Sequence, residues 1–110
     1  MIAPLKSKKK IDVLFEKGII VKEKNLFIKY YDFKDEDIQF GVSVSKKLFS
    51  SAVKRNLIKR RLREQINSSK LRNHFPRGIS FFIIYTASEI LSSKIIAYSL
   101  DNLINKIKLI

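Results

Sequence analysis

Between Ile38 and Ile66 the apolar residues change their spacing, and this change constrains the fold more than any other feature of the chain. Ile38, Phe40, Val42 and Val44 alternate with Gln39, Gly41, Ser43 and Ser45, the period of a strand with one covered face and one small, polar face. Ile58, Leu62 and Ile66 then recur at intervals of four, the stripe of a helix that docks on a sheet. This helix is predicted from about Ser51 to Ser69, with Ser50 or Ser51 as its cap. A strand that passes through a short link into such a helix calls for a layered α/β structure. The small polar residues on the strand leave room for a ligand to lie across that face, or simply for water.

The same stretch concentrates charge. The chain has a net charge of +13, and from Lys46 to Arg72 ten Lys or Arg face one acid, Glu64, so nine of the thirteen net charges fall in a quarter of the length. Lysine is common throughout, together with Ile and Asn, but arginine is not: four of the six arginines (Arg55, Arg60, Arg61, Arg63) lie within nine positions. A guanidinium is a planar fork of donors that grips phosphate bidentately, whereas an ammonium is a mobile point charge. On the helix, Asn56, Lys59, Arg60 and Arg63 follow the i, i+3, i+4, i+7 rule and share a face beside the apolar stripe, while Arg55 sits at the stripe's edge toward the sheet. Asparagine is a poor helix former in mid-helix, so Asn56 is expected to make a specific hydrogen bond, the alternative being a tolerated defect. A polyanion is the partner this pattern implies: nucleic acid by default, an anionic membrane surface as competitor.

With 110 residues, 45% of them apolar, the chain fits one domain with a modest core. It has no cysteine, which removes disulfides, thiolate catalysis and sulfur-ligated metal and fits a reducing compartment. The N-terminal Met-Ile-Ala-Pro-Leu-Lys-Ser lacks the apolar segment of a signal peptide, and no apolar run approaches the roughly 20 residues of a membrane span. A cytoplasmic protein is expected.

A first helix is predicted over Ser7–Lys17, capped by Ser7, with Ile11, Leu14 and Phe15 at helical spacing and Gly18 placed as a left-handed terminator. Its three lysines, at 8 to 10, oppose the helix dipole; a nearby polyanion would relieve this, as would solvent. Extended structure is expected from Ile19. A strand follows over Leu26–Phe33, with Ile28 and Tyr30 on one face and Phe27, Lys29 and Tyr31 on the other. Asp32–Asp37 holds four of the ten acids and reads as a solvated turn in preference to a metal cluster. Ser68–Gly78 reads as a loop with the only histidine, His74, which has no carboxylate in sequence reach for acid–base chemistry. Ile79–Thr86 is nearly all apolar, hence a central strand covered on both sides over much of its length. A last helix, from Ser92 or Ser93 to Ile107, offers Ile96, Leu100, Leu103 and Ile107 to the core. The order α-β-β-β-α-β-α is read as a two-layer α/β sandwich, a small mixed sheet of about four strands with three helices, in one domain over residues 1–110 whose charge marks it for a polyanion.

The runs Val-Ser-Val-Ser-Lys-Lys (42 to 47) and Ala-Val-Lys-Arg-Asn-Leu-Ile-Lys-Arg-Arg-Leu-Arg-Glu (52 to 64) resemble the signature of the bacterial ribonuclease P protein subunit, in which a strand ending in Ser-Lys-Lys leads into a helix reading Ala-Val-x-Arg-Asn-Arg-x-Lys-Arg-x-x-Arg-Glu. A first helix with Leu-Phe-x-x-Gly (14 to 18) and a following strand and helix extend the resemblance over nearly the whole chain. The resemblance implies a left-handed β-α-β crossover through the basic helix, where right-handed is the physical rule. It implies a noncatalytic protein subunit. The ribonuclease P catalytic RNA would remove the 5′ leader of precursor tRNA with Mg2+, which no recognisable protein motif binds. Arg55, Asn56, Lys59, Arg60 and Arg63 fall on the motif's RNA-contacting positions, and Lys46 and Lys47 on its basic pair. Phe15 and Tyr30 are the implied aromatics of a cleft for the leader. Leu57 replaces an arginine of the motif, Thr86 stands where the last strand often ends in arginine, and Ile11 stands where a cleft phenylalanine is common. No binding role is carried to Leu57 or Thr86. The rival readings are a general or ribosomal-type RNA binder, a helix-turn-helix DNA binder and a protein that degrades RNA unaided.

Overall fold

A computed structural model describes residues 2–68 and 71–107. Strand β1 (Ile2–Pro4) is followed by helix α1 (Lys8–Lys17), strands β2 (Ile19–Lys22), β3 (Leu26–Asp32) and β4 (Ile38–Val44), helix α2 (Ala52–Ser68), the single turn α3 (Leu71–His74), strand β5 (Ile79–Tyr85) and helix α4 (Ser93–Lys106). The expected helices and strands are all present in the expected order. Ser69, the expected last residue of α2, lies outside the described residues.

Two elements were not foreseen. Strand β1 runs parallel to β4 and extends the sheet beyond it, giving the order β1-β4-β5-β3-β2. Three residues are too few to show a period, and Pro4 argues against a strand except at an edge, where β1 lies. The turn α3 falls in the expected loop, and four residues leave it equally without a pattern.

Strands β4 and β5 pair in parallel, joined by the crossover through α2 and α3, while β5–β3 and β3–β2 are antiparallel. One sheet face carries the core. Leu26, Ile28 and Tyr30 of β3, Phe81, Ile83 and Tyr85 of β5, and Phe40 and Val44 of β4 meet Ile58, Leu62 and Ile66 of α2 and Ile96, Leu100 and Leu103 of α4. Each such side chain contributes about 1.5–3 kcal/mol on burial, so the stripe predicted on α2 fixes which way that helix faces.

The opposite face is only partly covered, by α1. Ser7 caps this helix, its Oγ accepting from Lys10 N at 3.4 Å, and Leu14 is completely buried beneath it. Gly18 ends α1 without the expected left-handed conformation, since its φ is −65°. Close approach is what requires glycine there: a Cβ would stand 2.3 Å from the Leu14 carbonyl oxygen. Of the three lysines opposing the dipole, Lys10 is answered within the protein. Its Nζ bonds Asp35 Oδ2 at 2.5 Å and lies 5.1 Å from the centroid of the Phe33 ring.

Candidate nucleic-acid interface

The link between β4 and α2 is held by an aromatic anchor and an arginine. Phe49 is buried and stacks on Tyr85, centroids 5.9 Å apart, while its N–H closes a turn onto Ser45 O at 3.0 Å. The turn leaves Lys46 and Lys47 exposed. Arg55 reaches back from the first turn of α2, its Nη1 donating to Phe49 O at 2.7 Å and Ser50 O at 3.0 Å. It is therefore set apart from the other predicted contacts, because its guanidinium already serves two carbonyls of the chain.

The remaining predicted residues of α2 come together. A helix turns about 100° per residue, and with Ile58, Leu62 and Ile66 against the sheet, Asn56, Lys59, Arg60 and Arg63 occupy one adjoining flank. Asn56, Arg60 and Arg63 are exposed and Lys59 is half-buried. The flank looks toward the β1 edge of the sheet, since Arg63 and Asn67 line a pocket with Pro4 and Phe40. The other flank faces α4, where Arg61 Nη1 donates to Leu91 O at 2.8 Å. The helix thus sorts its arginines, Arg55 and Arg61 inward to carbonyls and Arg60 and Arg63 outward. Arg60 Nε lies 4.0 Å from Glu64 Oε1, both side chains being more than 60% exposed, a pair too solvated to hold the arginine firmly.

Asn56 does not make the expected hydrogen bond within the protein; its side chain has no hydrogen-bond partner among the described residues. It lines a shallow depression of about 460 Å³ with Val53, Leu57 and Arg60. Leu57, in place of the motif's arginine, thus gives the basic flank an apolar margin together with Val53, which is 79% exposed.

A second surface lies on the open sheet face beside α1. Phe15 is 39% exposed and tilts against Phe82, centroids 5.2 Å apart. Lys29 Nζ donates to Phe15 O at 3.0 Å and sits 4.8 Å from the centroid of its ring. Phe82 lies over Gly41 of the neighbouring strand, where a Cβ would meet its Cζ at 2.3 Å. The floor therefore consists of aromatic rings, a lysine and the small residues of β4. Sequence reasoning missed Phe82 because β5 reads as a continuous apolar run; the available signal was Gly41, the one residue without a side chain on the strand's small, polar face.

Tyr30 is the correction. It is 6% exposed, lies in the core cluster and packs on Phe75 with centroids 5.2 Å apart. The period of two assigns it to the core side with Leu26 and Ile28, so it cannot share the Phe15 surface, which its neighbour Lys29 reaches instead. Thr86 lies just past β5, exposed, its N–H donating to Asn25 O at 3.0 Å.

Two of the four acids of the β3–β4 turn, Asp32 and Asp35, are engaged locally. Asp32 accepts from Lys34 N at 2.8 Å and Asp35 from Asp37 N at 3.0 Å, and the Lys10 hydrogen bond holds the Asp35 carboxyl below its ordinary pKa. Among the described residues no group of three or more His, Asp or Glu is placed to hold a metal ion. His74 packs edge-on against Phe75, centroids 5.7 Å apart. Also among the described residues, no helix is long and apolar enough to cross a membrane.

The family model described as ribonuclease P matches residues 3–108. The ribonuclease P protein components of three Streptococcus agalactiae strains are 38% identical to the chain over 66 residues, which is 60% of this chain and 60% of those proteins. The RNase P protein of Staphylococcus aureus superposes with a TM-score of 0.79 at 25% identity, covering 94% of this chain and 93% of that one. The RNase P protein of Thermotoga maritima shares the fold, with a TM-score of 0.79 at 20% identity over 96% of this chain and 97% of that one. With a match running over almost its entire length, the chain belongs to the ribonuclease P protein family.

Proposed function

We propose that the chain is the noncatalytic protein subunit of a cytoplasmic ribonuclease P ribonucleoprotein. Its α2 flank grips the catalytic RNA, and the Phe15–Phe82 surface takes the single-stranded 5′ leader of precursor tRNA. The observation that carries this reading is the sorting of α2: Lys59, Arg60 and Arg63 stand with Asn56 on one outward flank, and Lys46 and Lys47 are exposed in the link that precedes the helix. Phosphates bound there would release condensed counterions, a sequence-independent source of affinity. Bases of a single strand stack on exposed rings for about 1–3 kcal/mol each, and Lys29 beside Phe15 supplies a cation for the intervening backbone.

Hydrolysis is left to the RNA. Magnesium held by the ribonucleoprotein would supply activation of the attacking water; in this reading the β3–β4 turn is structural, Asp32 and Asp35 being bonded to backbone N–H groups and Asp35 to Lys10. What this chain's residues do is bind and orient two RNA segments across one small domain.

Reconstitution tests the proposal. The protein added to its cognate catalytic RNA at low magnesium should accelerate 5′ cleavage of a tRNA precursor and favour precursor over mature tRNA. No acceleration, with RNA binding intact, would leave a general RNA-binding protein. Product from protein alone would show that it degrades RNA unaided.

A further inference from the structure

We infer that the pocket between α2 and the β1 edge receives one unstacked nucleobase of the RNA strand held by the α2 flank; the inference rests on the RNA-binding reading above. The pocket encloses about 210 Å³ and is lined by Pro4, Phe40, Arg63 and Asn67, a space on the scale of one base with part of its sugar. Its apolar part is rigid: Phe40 is 8% exposed and stacks on Phe81 with centroids 5.6 Å apart, and Pro4 belongs to the strand paired with β4. A flat heterocycle can bury a face against such a wall, as splayed bases do in single-stranded recognition.

The rim supplies the polar chemistry. Arg63 and Asn67 are one helical turn apart on the same flank, both exposed, and neither side chain has a hydrogen-bond partner among the described residues. A carboxamide offers a donor and an acceptor side by side, the complement of a base edge. Arg63 is placed for the phosphate of the same nucleotide, continuing the cation row from Lys59. An aliphatic peptide side chain would use the wall and leave the carboxamide unmatched. Charge on the adjoining flank also selects for a polyanion.

Isotope-labelled full-length protein titrated with AMP, GMP, CMP and UMP, and separately with ribose 5-phosphate, tests this by NMR. The nucleotides should produce saturable, base-dependent shifts at the Asn67 carboxamide and the Phe40 ring, while ribose 5-phosphate moves the Arg63 signals alone. Asn67→Leu and Asn67→Ser should both abolish the Phe40 response without changing the melting temperature. They should also lower affinity for the catalytic RNA about five- to tenfold, leaving the salt dependence unchanged because no phosphate contact is lost. Identical shifts from ribose 5-phosphate, shifts confined to the surroundings of Phe15 and Phe82, or silence at Phe40 would each overturn the pocket. If Arg60→Ala and Arg63→Ala weaken RNA binding while Phe40 stays silent, the pocket alone fails. If those two variants bind RNA normally, the reading of the whole flank fails.

Discussion

Arginine does two different jobs within three turns of α2, and the structure separates them by partner. Among the described residues Arg60 and Arg63 have no carbonyl to serve, so Arg60→Ala and Arg63→Ala should each flatten the salt dependence of RNA binding by about one in logarithmic slope, with stability changed by no more than about 0.5 kcal/mol. Arg55 and Arg61 bond backbone oxygens. Arg61→Ala should lower unfolding free energy by about 1–2 kcal/mol in denaturant melts, with a smaller effect on RNA affinity than Arg63→Ala. The clustering of arginine was visible in sequence as a group property. Its division was not, because Leu91 is thirty positions from Arg61 and nothing local announces that contact. Tyr30 went astray for the opposite reason: the alternation of β3 assigned its face correctly, and the role implied by resemblance conflicted with that assignment.

Among elements, α1 bounds the open sheet face, covering one part and leaving the rest bare. Phe15 from α1 and Phe82 from β5 meet there. Phe82→Ala should therefore reduce affinity for precursor tRNA by about 1–3 kcal/mol while leaving affinity for mature tRNA unchanged, measured by competition binding. α1 is itself tied to the β3–β4 turn by Lys10 and Asp35. The Asp35 pKa lies below its unfolded value, chiefly through the Lys10 hydrogen bond. The stabilisation is therefore fully present above the unfolded value and disappears as pH falls through the folded one. Melting temperatures of the wild type should exceed those of Asp35→Asn at neutral pH and converge with them in strong acid. Equal melting at neutral pH would show that the tie contributes nothing. The extents of these elements were largely readable, because alternation and four-residue spacing each express burial on one side; the tie was not, as it joins residues twenty-five apart.

For the molecule as a whole, the layered α/β order followed from two periodicities, whereas β1 escaped notice because its place depends on the edge that β4 presents, not on its own three residues. That strand lends Pro4 to the pocket toward which the α2 flank looks, so the charge of the chain is directed as well as large. A net charge of +13 spread evenly would attract RNA weakly from every side. Concentrated between Lys46 and Arg63, it should engage a few phosphates at once. Taking about four single-stranded contacts at roughly 0.7 counterions each, affinity for catalytic RNA should fall about fiftyfold between 50 and 200 mM monovalent salt. Glu64→Gln, which removes the only acid between Lys46 and Arg72, should raise affinity at low salt and lose that advantage as salt rises. Filter-binding isotherms across that range measure both effects, and a flat dependence in the wild type would mean that the basic helix is not where RNA is held.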